Sequence, residues 1–202
     1  MHLIIGLAGG IGSGKTAASQ WFEQQGITVV DADIVAREVV QPDSLALQRI
    51  CHAFGEWVLL DDGQLNRKAL REYIFNHPEA RQQLEEITHP IIRQEILRQL
   101  QMAQSPYVIL VSPLLFETKQ HHLVQRTLLI DVPESLQLQR ATQRDVQSTE
   151  QIAKIIATQM PRAKKQQLAD DIVINDGHLE HLYQQLQPLH TYYLSLAKVN
   201  RT

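Results

Sequence analysis

The sequence predicts an α/β protein of three layers: a parallel sheet covered by helices, with a helical substrate-binding insertion between two strands and a helical lid. Three observations carry this reading. An apolar run, Ile4-Ile5-Gly6-Leu7-Ala8, passes into Gly9-Gly10-Ile11-Gly12-Ser13-Gly14-Lys15-Thr16 and then into a helix-like segment. A β-branched run, Ile27-Thr28-Val29-Val30, follows that helix, and a strand–loop–helix–strand succession indicates parallel pairing, with ligands gathering at the carboxyl ends of the strands. Helix-patterned sequence from about residue 34 to 104 is then far longer than an ordinary crossover.

The glycine-rich stretch organises the rest. Gly9, four residues, then Gly14-Lys15-Thr16 is the phosphate-binding P-loop pattern. Glycines let the backbone bend around an anion with several N–H groups pointing inward, and the helix that follows adds the positive end of its dipole. Lys15 can reach the outer phosphates, and Thr16 offers a hydroxyl to a phosphate-bound Mg²⁺. A flexible turn with a surface lysine is the competing reading, and the strand before and helix after disfavour it. The expected fold is therefore a P-loop NTPase or kinase.

The remaining elements follow in order. Residues 17–25 form the helix opened by the loop, stopped at Gly26. The next strand ends in Asp31-Ala32-Asp33, and if extended geometry persists Asp31 and Asp33 point to the same side. Either can cap the next helix, but a kinase needs a carboxylate near its acceptor, and Asp33 is the candidate. Ser44–Phe54 is a candidate helix, and Asn66–Phe75 another with Asn66 as N-cap. A short helix near Pro78 and a longer one opened by Thr88-His89-Pro90 complete the insertion, placed at about 60–105. Tyr107–Val111 reads as a central buried strand. Ser112-Pro113 stands where many P-loop proteins carry an acidic Mg²⁺ partner, so the metal shell must be completed by water, phosphate or a carboxylate such as Asp33. Thr127–Val132 is the next strand. A helix from Pro133-Glu134 carries Arg140 and Arg144 on one face, either a solvated pair with Asp145 or lid arginines that meet the triphosphate. Ser148–Gln159 is a further helix with Ser148 as N-cap, and Pro161–Lys165 is a second lid strut or surface charge. Asp171–Asn175 is the last strand, and Pro188 should kink or split the terminal helix. The chain is one domain with a core of about 1–59, 106–135 and 170–202 and a lid of about 136–169.

With 202 residues, 44% hydrophobic and 20% charged, the composition is that of a soluble globular domain. A net charge of −3 argues against a general nucleic-acid or membrane-surface binder. The single cysteine, Cys51, allows no intrachain disulfide and points to a reducing compartment. Met1-His2 leads into the first strand without a signal-peptide pattern, no apolar run reaches the roughly 18 residues of a spanning helix, and the expected location is cytoplasmic. The nine histidines, including the pairs His121-His122 and His178/His181, lack the partners of a structural zinc site.

Taken together, these residues resemble the dephospho-CoA kinase family over nearly the full length. The marks are Gly9–Lys15, Asp31-Ala32-Asp33 followed by Ala36-Arg37, His89-Pro90 with Arg93, and Pro113-Leu114-Leu115-Phe116-Glu117. Further marks are Gln139-Arg140 with Arg144-Asp145, and Ala169-Asp170 leading to Asn175 and Gly177. The segment Arg162-Lys164-Lys165 is not diagnostic. The resemblance implies transfer of the ATP γ-phosphoryl group, with Mg²⁺, to the ribose 3′-hydroxyl of dephospho-CoA, the last step of coenzyme A biosynthesis. It further implies that Gly12, Ser13, Gly14, Lys15, Thr16 and Ala17 hold ATP together with Asn175, that Asp33 is the general base, and that Arg140 is a lid contact to phosphate. Arg37, His89 and Glu117 are substrate-side candidates by the same match. The partners it implies are the two small molecules, with no nucleic acid and no membrane, and the oligomeric state is left open. The rival readings are another small-molecule P-loop kinase of shikimate or nucleotide type, and a nucleotide-controlled switch that hydrolyses ATP or GTP.

Overall fold

In a computed structural model, residues 2–118, 120–144 and 148–199 are described, and two compact units emerge: residues 1–31 with 100–202, and Ala32–Gln99.

The first unit is built on a five-stranded, wholly parallel sheet of β1 (Leu3–Ala8), β2 (Thr28–Asp31), β3 (Tyr107–Val111), β4 (Arg126–Asp131) and β5 (Asp171–Ile174). Their order is β2-β3-β1-β4-β5, so β1 lies at the centre, registered against β3 on one side and β4 on the other. All five residues of β3 are buried, as a strand covered on both faces requires. One face carries α1 (Lys15–Gln24) and α9 (Leu179–Val199). On α1, Ala18, Trp21 and Phe22 fall at helical spacing and are buried against Ile109, Tyr107 and Leu186 of the same cluster. Complete burial of a side chain such as Phe22 stabilises the unit by roughly 1.5–3 kcal/mol. The helix ends where Gly26 takes φ +77°, a left-handed turn that only glycine adopts without strain. On the other face, Leu115, Phe116 and Leu129 pack with Ala8, Met160 and Ala169.

α9 is one helix through Pro188, where a kink or a split was expected, so it is not split. Its buried row of Leu182, Leu186, His190, Tyr193 and Ala197 holds the helix to the sheet on both sides of the proline. Two polar ties reinforce it: Tyr107 Oη lies 2.7 Å from His190 Nδ1, and Tyr193 donates to Asp171 at 2.7 Å.

The second unit consists of α2 (Ala32–Glu38), α3 (Leu45–Phe54), α4 (Arg67–Asn76) and most of α5 (Pro78–Met102). Two helices carry side-chain N-caps: Ser44 Oγ accepts from the Leu47 N–H at 3.2 Å, and Asn66 Oδ1, the expected cap, accepts from Ala69 at 3.1 Å. The small core is Val40, Ala46, Ile50, Val58 and Leu70. The helical unit thus begins at Ala32 rather than near residue 60, because α3 turns its apolar face to Val58 and Leu70. The two helices expected on either side of Thr88 are one helix of 25 residues with Pro90 inside it. Leu84, Ile87 and Ile91 all pack against the unit's core, so the apolar stripe continues across the proline and outweighs the lost backbone bond.

Candidate active site

The carboxyl end of β1, the central strand, opens directly into the glycine loop. Gly12 and Gly14 take φ +69° and +92°, the left-handed region, so the loop reverses there as the motif requires. The turn is closed by the Ser13 N–H donating to the Gly10 carbonyl at 3.1 Å, and α1 starts with Ala18 N–H donating to Gly14 at 3.1 Å. Lys15 and Thr16 form the first turn of α1, with Lys15 half-buried and Thr16 exposed, followed by Ala17.

The loop is seated closely against Ile130, Gln137, Gln159 and Asn175. A Cβ on Gly9 would lie 3.0 Å from the Ile130 carbonyl, and one on Gly10 would lie 2.9 Å from the Gln137 amide and 3.1 Å from Gln159. A Cβ on Gly12 would meet the Gln137 carbonyl at 2.8 Å, and one on Gly14 would strike the Asn175 side chain. Asn175, buried just past β5, donates from Nδ2 to the Ser13 carbonyl at 2.8 Å. Arg140, on α6 (Glu134–Arg144), donates in turn to the Asn175 carbonyl at 2.7 Å and to that of Gly177 at 3.3 Å. Arg140, Asn175 and the loop therefore form one hydrogen-bonded chain. The side chain of Arg144 and Asp145 as a whole lie outside the described residues. Ser13 Oγ is buried with no hydrogen-bond partner among the described residues.

Beside Gly10 a narrow pocket of about 30 Å³ is lined by Asp131, Gln137, Gln159, Arg162 and Lys165. Its walls are α6, α7 (Thr149–Thr158) and α8 (Arg162–Leu168). α7 begins with a capping box in which Ser148 and Gln151 satisfy each other's backbone N–H groups. Asp131, at the carboxyl end of β4, accepts both forks of Arg162 at 2.8 and 2.7 Å and Gln166 at 2.8 Å. Burial pushes the Asp131 carboxyl up, but the hydrogen bonds from Arg162 and Gln166 outweigh it and hold the group below its ordinary value. Glu117 faces the same segment: its Oε1 accepts from the Met160 N–H at 2.9 Å and lies 3.8 Å from Lys165 Nζ. Lys165 is buried, which lowers its pKa against the opposing pull of Glu117. Arg162 and Lys165 are thus tied to core carboxylates, Arg162 still about a third exposed, rather than forming a free surface patch. Gln137 and Asp131 gave no signal in the sequence, because a glutamine on an amphipathic helix and an aspartate ending a strand both look like surface residues.

The remaining candidates belong to the helical unit. Extended geometry ends at Asp31, so Asp31 and Asp33 are not an alternating strand pair; Asp33 is exposed in the first turn of α2. Arg37 lies in the last turn of α2, and His89 and Arg93 are exposed four residues apart on α5.

Comparison with known proteins agrees with this geometry. A sequence profile described as dephospho-CoA kinase matches residues 3–181. The dephospho-CoA kinase of Acinetobacter baylyi is 69% identical over 192 residues, covering 95% of this chain and 98% of that one. The crystal structure of a Thermus thermophilus protein superposes with a TM-score of 0.81 at 30% identity, over 95% of this chain and 97% of that one. The dephospho-CoA kinase of Campylobacter jejuni superposes with a TM-score of 0.71 at 27% identity, over 98% of each chain. The chain belongs to the dephospho-CoA kinase family.

Proposed function

We propose that this protein transfers the γ-phosphoryl group of ATP to the ribose 3′-hydroxyl of dephospho-CoA, giving coenzyme A and ADP. The observation that carries the reading is family membership across residues 3–181 joined to an intact, left-handed glycine loop at the end of the central strand. In the reaction the 3′-oxygen forms a bond to the γ-phosphorus as the bond from that phosphorus to the β,γ-bridging oxygen breaks, and the hydroxyl proton passes to Asp33. Chain connectivity supports Asp33 as base: it follows by two residues the carboxyl end of β2, at the sheet edge where the glycine loop also emerges. Loop N–H groups and Lys15 hold the phosphates, and Arg140 steadies the loop from α6 while offering cationic charge toward them.

The donor set suits Mg²⁺ carried by the nucleotide. Thr16 would supply one neutral oxygen, and among the described residues no three His, Cys, Asp or Glu side chains converge on a point, so phosphate, water or a single carboxylate such as Asp33 would complete the shell. Bound in that way, the ion neutralises charge on the phosphate oxygens. No helix among the described residues is long and apolar enough to cross a membrane. The free Cys51 fits a reducing compartment, and we place the reaction in the cytoplasm.

An acceptor panel tests the reading. ADP formation should require dephospho-CoA and stay at background with shikimate or nucleoside monophosphates. Equal turnover with one of those acceptors would replace dephospho-CoA kinase by a sister activity, and acceptor-independent hydrolysis would favour a switch.

A further inference from the structure

Lys165, in the last turn of α8, is a charged group that the proposed phosphoryl transfer leaves unused, yet it is only 6% exposed. Burying an ammonium costs free energy unless its donors are engaged. Of its three donors one is used among the described residues, in a bond to Gln159 Oε1 at 3.4 Å. Its carboxylate neighbour Glu117 stands 3.8 Å away, beyond hydrogen-bonding distance. Glu117 Oε1 is taken by the Met160 N–H at 2.9 Å, and Oε2 is buried with no hydrogen-bond partner among the described residues. The pair thus lacks the close geometry by which a buried ion pair offsets its desolvation. It is not needed to dock α8 either, because Arg162 already joins that helix to Asp131 through both forks and Gln166 adds a third bond. An exposed lysine would complement the α8 dipole equally well. A buried cation with so small a structural return is expected where it serves a site.

That site is the glycine loop. Gln159 Oε1, the atom that accepts from Lys165, lies 3.1 Å from where a Cβ on Gly10 would stand, and the Gln137 amide flanks the same position at 2.9 Å. Lys165, Gly10 and both glutamines line one narrow pocket. An ammonium only donates, so it fixes which end of the Gln159 amide turns inward, namely the oxygen. We propose that Lys165 is a positioning residue for the phosphate loop: kept in place by Glu117, it locks the Gln159 amide against Gly10 and so holds the loop backbone in the shape that receives the triphosphate. The proposal rests on the reading of this loop as the ATP site. Small displacements of groups that align a substrate carry large costs in rate, so a contact behind the loop is felt in turnover of ATP.

The test uses the full-length protein with Lys165→Met, Gln159→Leu, those two combined, and Lys165→Met combined with Glu117→Leu. Each is read by urea denaturation, steady-state kinetics and calorimetric titration with ATP. Lys165→Met alone strands the Glu117 carboxylate and should lower the urea midpoint, and replacing both ions by apolar side chains should bring it back to the wild-type value. A purely structural pair would then recover full activity as well. The proposal expects instead that the protein lacking both ions keeps a kcat/KM for ATP lowered by roughly 10-fold or more, with KM for dephospho-CoA within about 2-fold. Gln159→Leu should lower kcat/KM for ATP by a similar factor, and adding Lys165→Met to it should cost no more than the larger single loss, because the two residues act in series. ATP kinetics at the wild-type level in the protein lacking both ions, or in Gln159→Leu, would overturn the proposal. So would losses that multiply when Lys165→Met and Gln159→Leu are combined. Gln159→Leu leaves both ions in place and decides by itself if the ion-pair variants fail to fold. These outcomes leave wild-type turnover intact and thus leave the reaction assignment standing, whereas a wild type that does not bind ATP would overturn both.

Discussion

Asn175 donates from its side-chain amide to the carbonyl of Ser13 at 2.8 Å, so the turn after the last strand holds the glycine loop from behind. Arg140 donates to the Asn175 carbonyl at 2.7 Å, and its second fork reaches Gly177 at 3.3 Å. A lysine cannot span both carbonyls. Arg140→Lys is therefore expected to lower kcat/KM for ATP by at least about 10-fold although the charge is kept. Wild-type kinetics in that variant would show Arg140 to be ordinary surface charge.

Asp33, in the first turn of α2, is assigned as the base. General-base help is worth ~10²–10⁴-fold, so Asp33→Asn should lower kcat by about that factor with KM for ATP almost unchanged. Turnover near the wild-type rate would remove Asp33 from the chemistry.

Thr16, in the first turn of α1, is the side chain proposed for Mg²⁺. Its replacement by Ala should weaken Mg-ATP binding more than binding of ATP in the presence of a chelator, as read by titration with and without metal. Equal losses in the two titrations would contradict a metal role.

Asp131 predicts a pH signature in stability. Its folded-state pKa is depressed, so the pair with Arg162 contributes fully above the unfolded value of about 3.9 and is lost as pH falls through the lower folded value. Asp131→Asn should cost about 1–2 kcal/mol at pH 7, discounted because the Arg162 side chain is 36% exposed. The wild-type advantage in urea denaturation should shrink progressively below pH 4. A difference between the two proteins that stays constant from pH 7 to pH 3 would mean that the carboxylate charge contributes nothing.

The parts of the fold legible in the sequence are those set by local chemistry. The glycine loop, the N-caps Asn66 and Ser148, and the apolar strand Tyr107–Val111 each depend on residues close together in the chain. What escaped depends on tertiary context. Pro90 and Pro188 signal breaks, yet both helices continue because apolar stripes on either side of the proline stay anchored in a core. The aspartates 31 and 33 looked like a strand pair only while the strand end was unknown. At the site, Lys15 and Asn175 were readable from motif and resemblance, whereas the grip of Asp131 on Arg162 joins residues 31 apart and could not be read from spacing. The contacts of Glu117, a substrate-side candidate by resemblance, to the Met160 N–H and Lys165 Nζ likewise join residues more than 40 apart.

The central claim is phosphoryl transfer to one hydroxyl of one acceptor. Purified protein incubated with Mg-ATP and dephospho-CoA, with the product resolved by mass spectrometry and phosphorus NMR, tests it most directly. The account predicts stoichiometric ADP and a single product carrying a new phosphate monoester on the ribose 3′-oxygen. No phosphorylated dephospho-CoA, or phosphate at a different position, would contradict it.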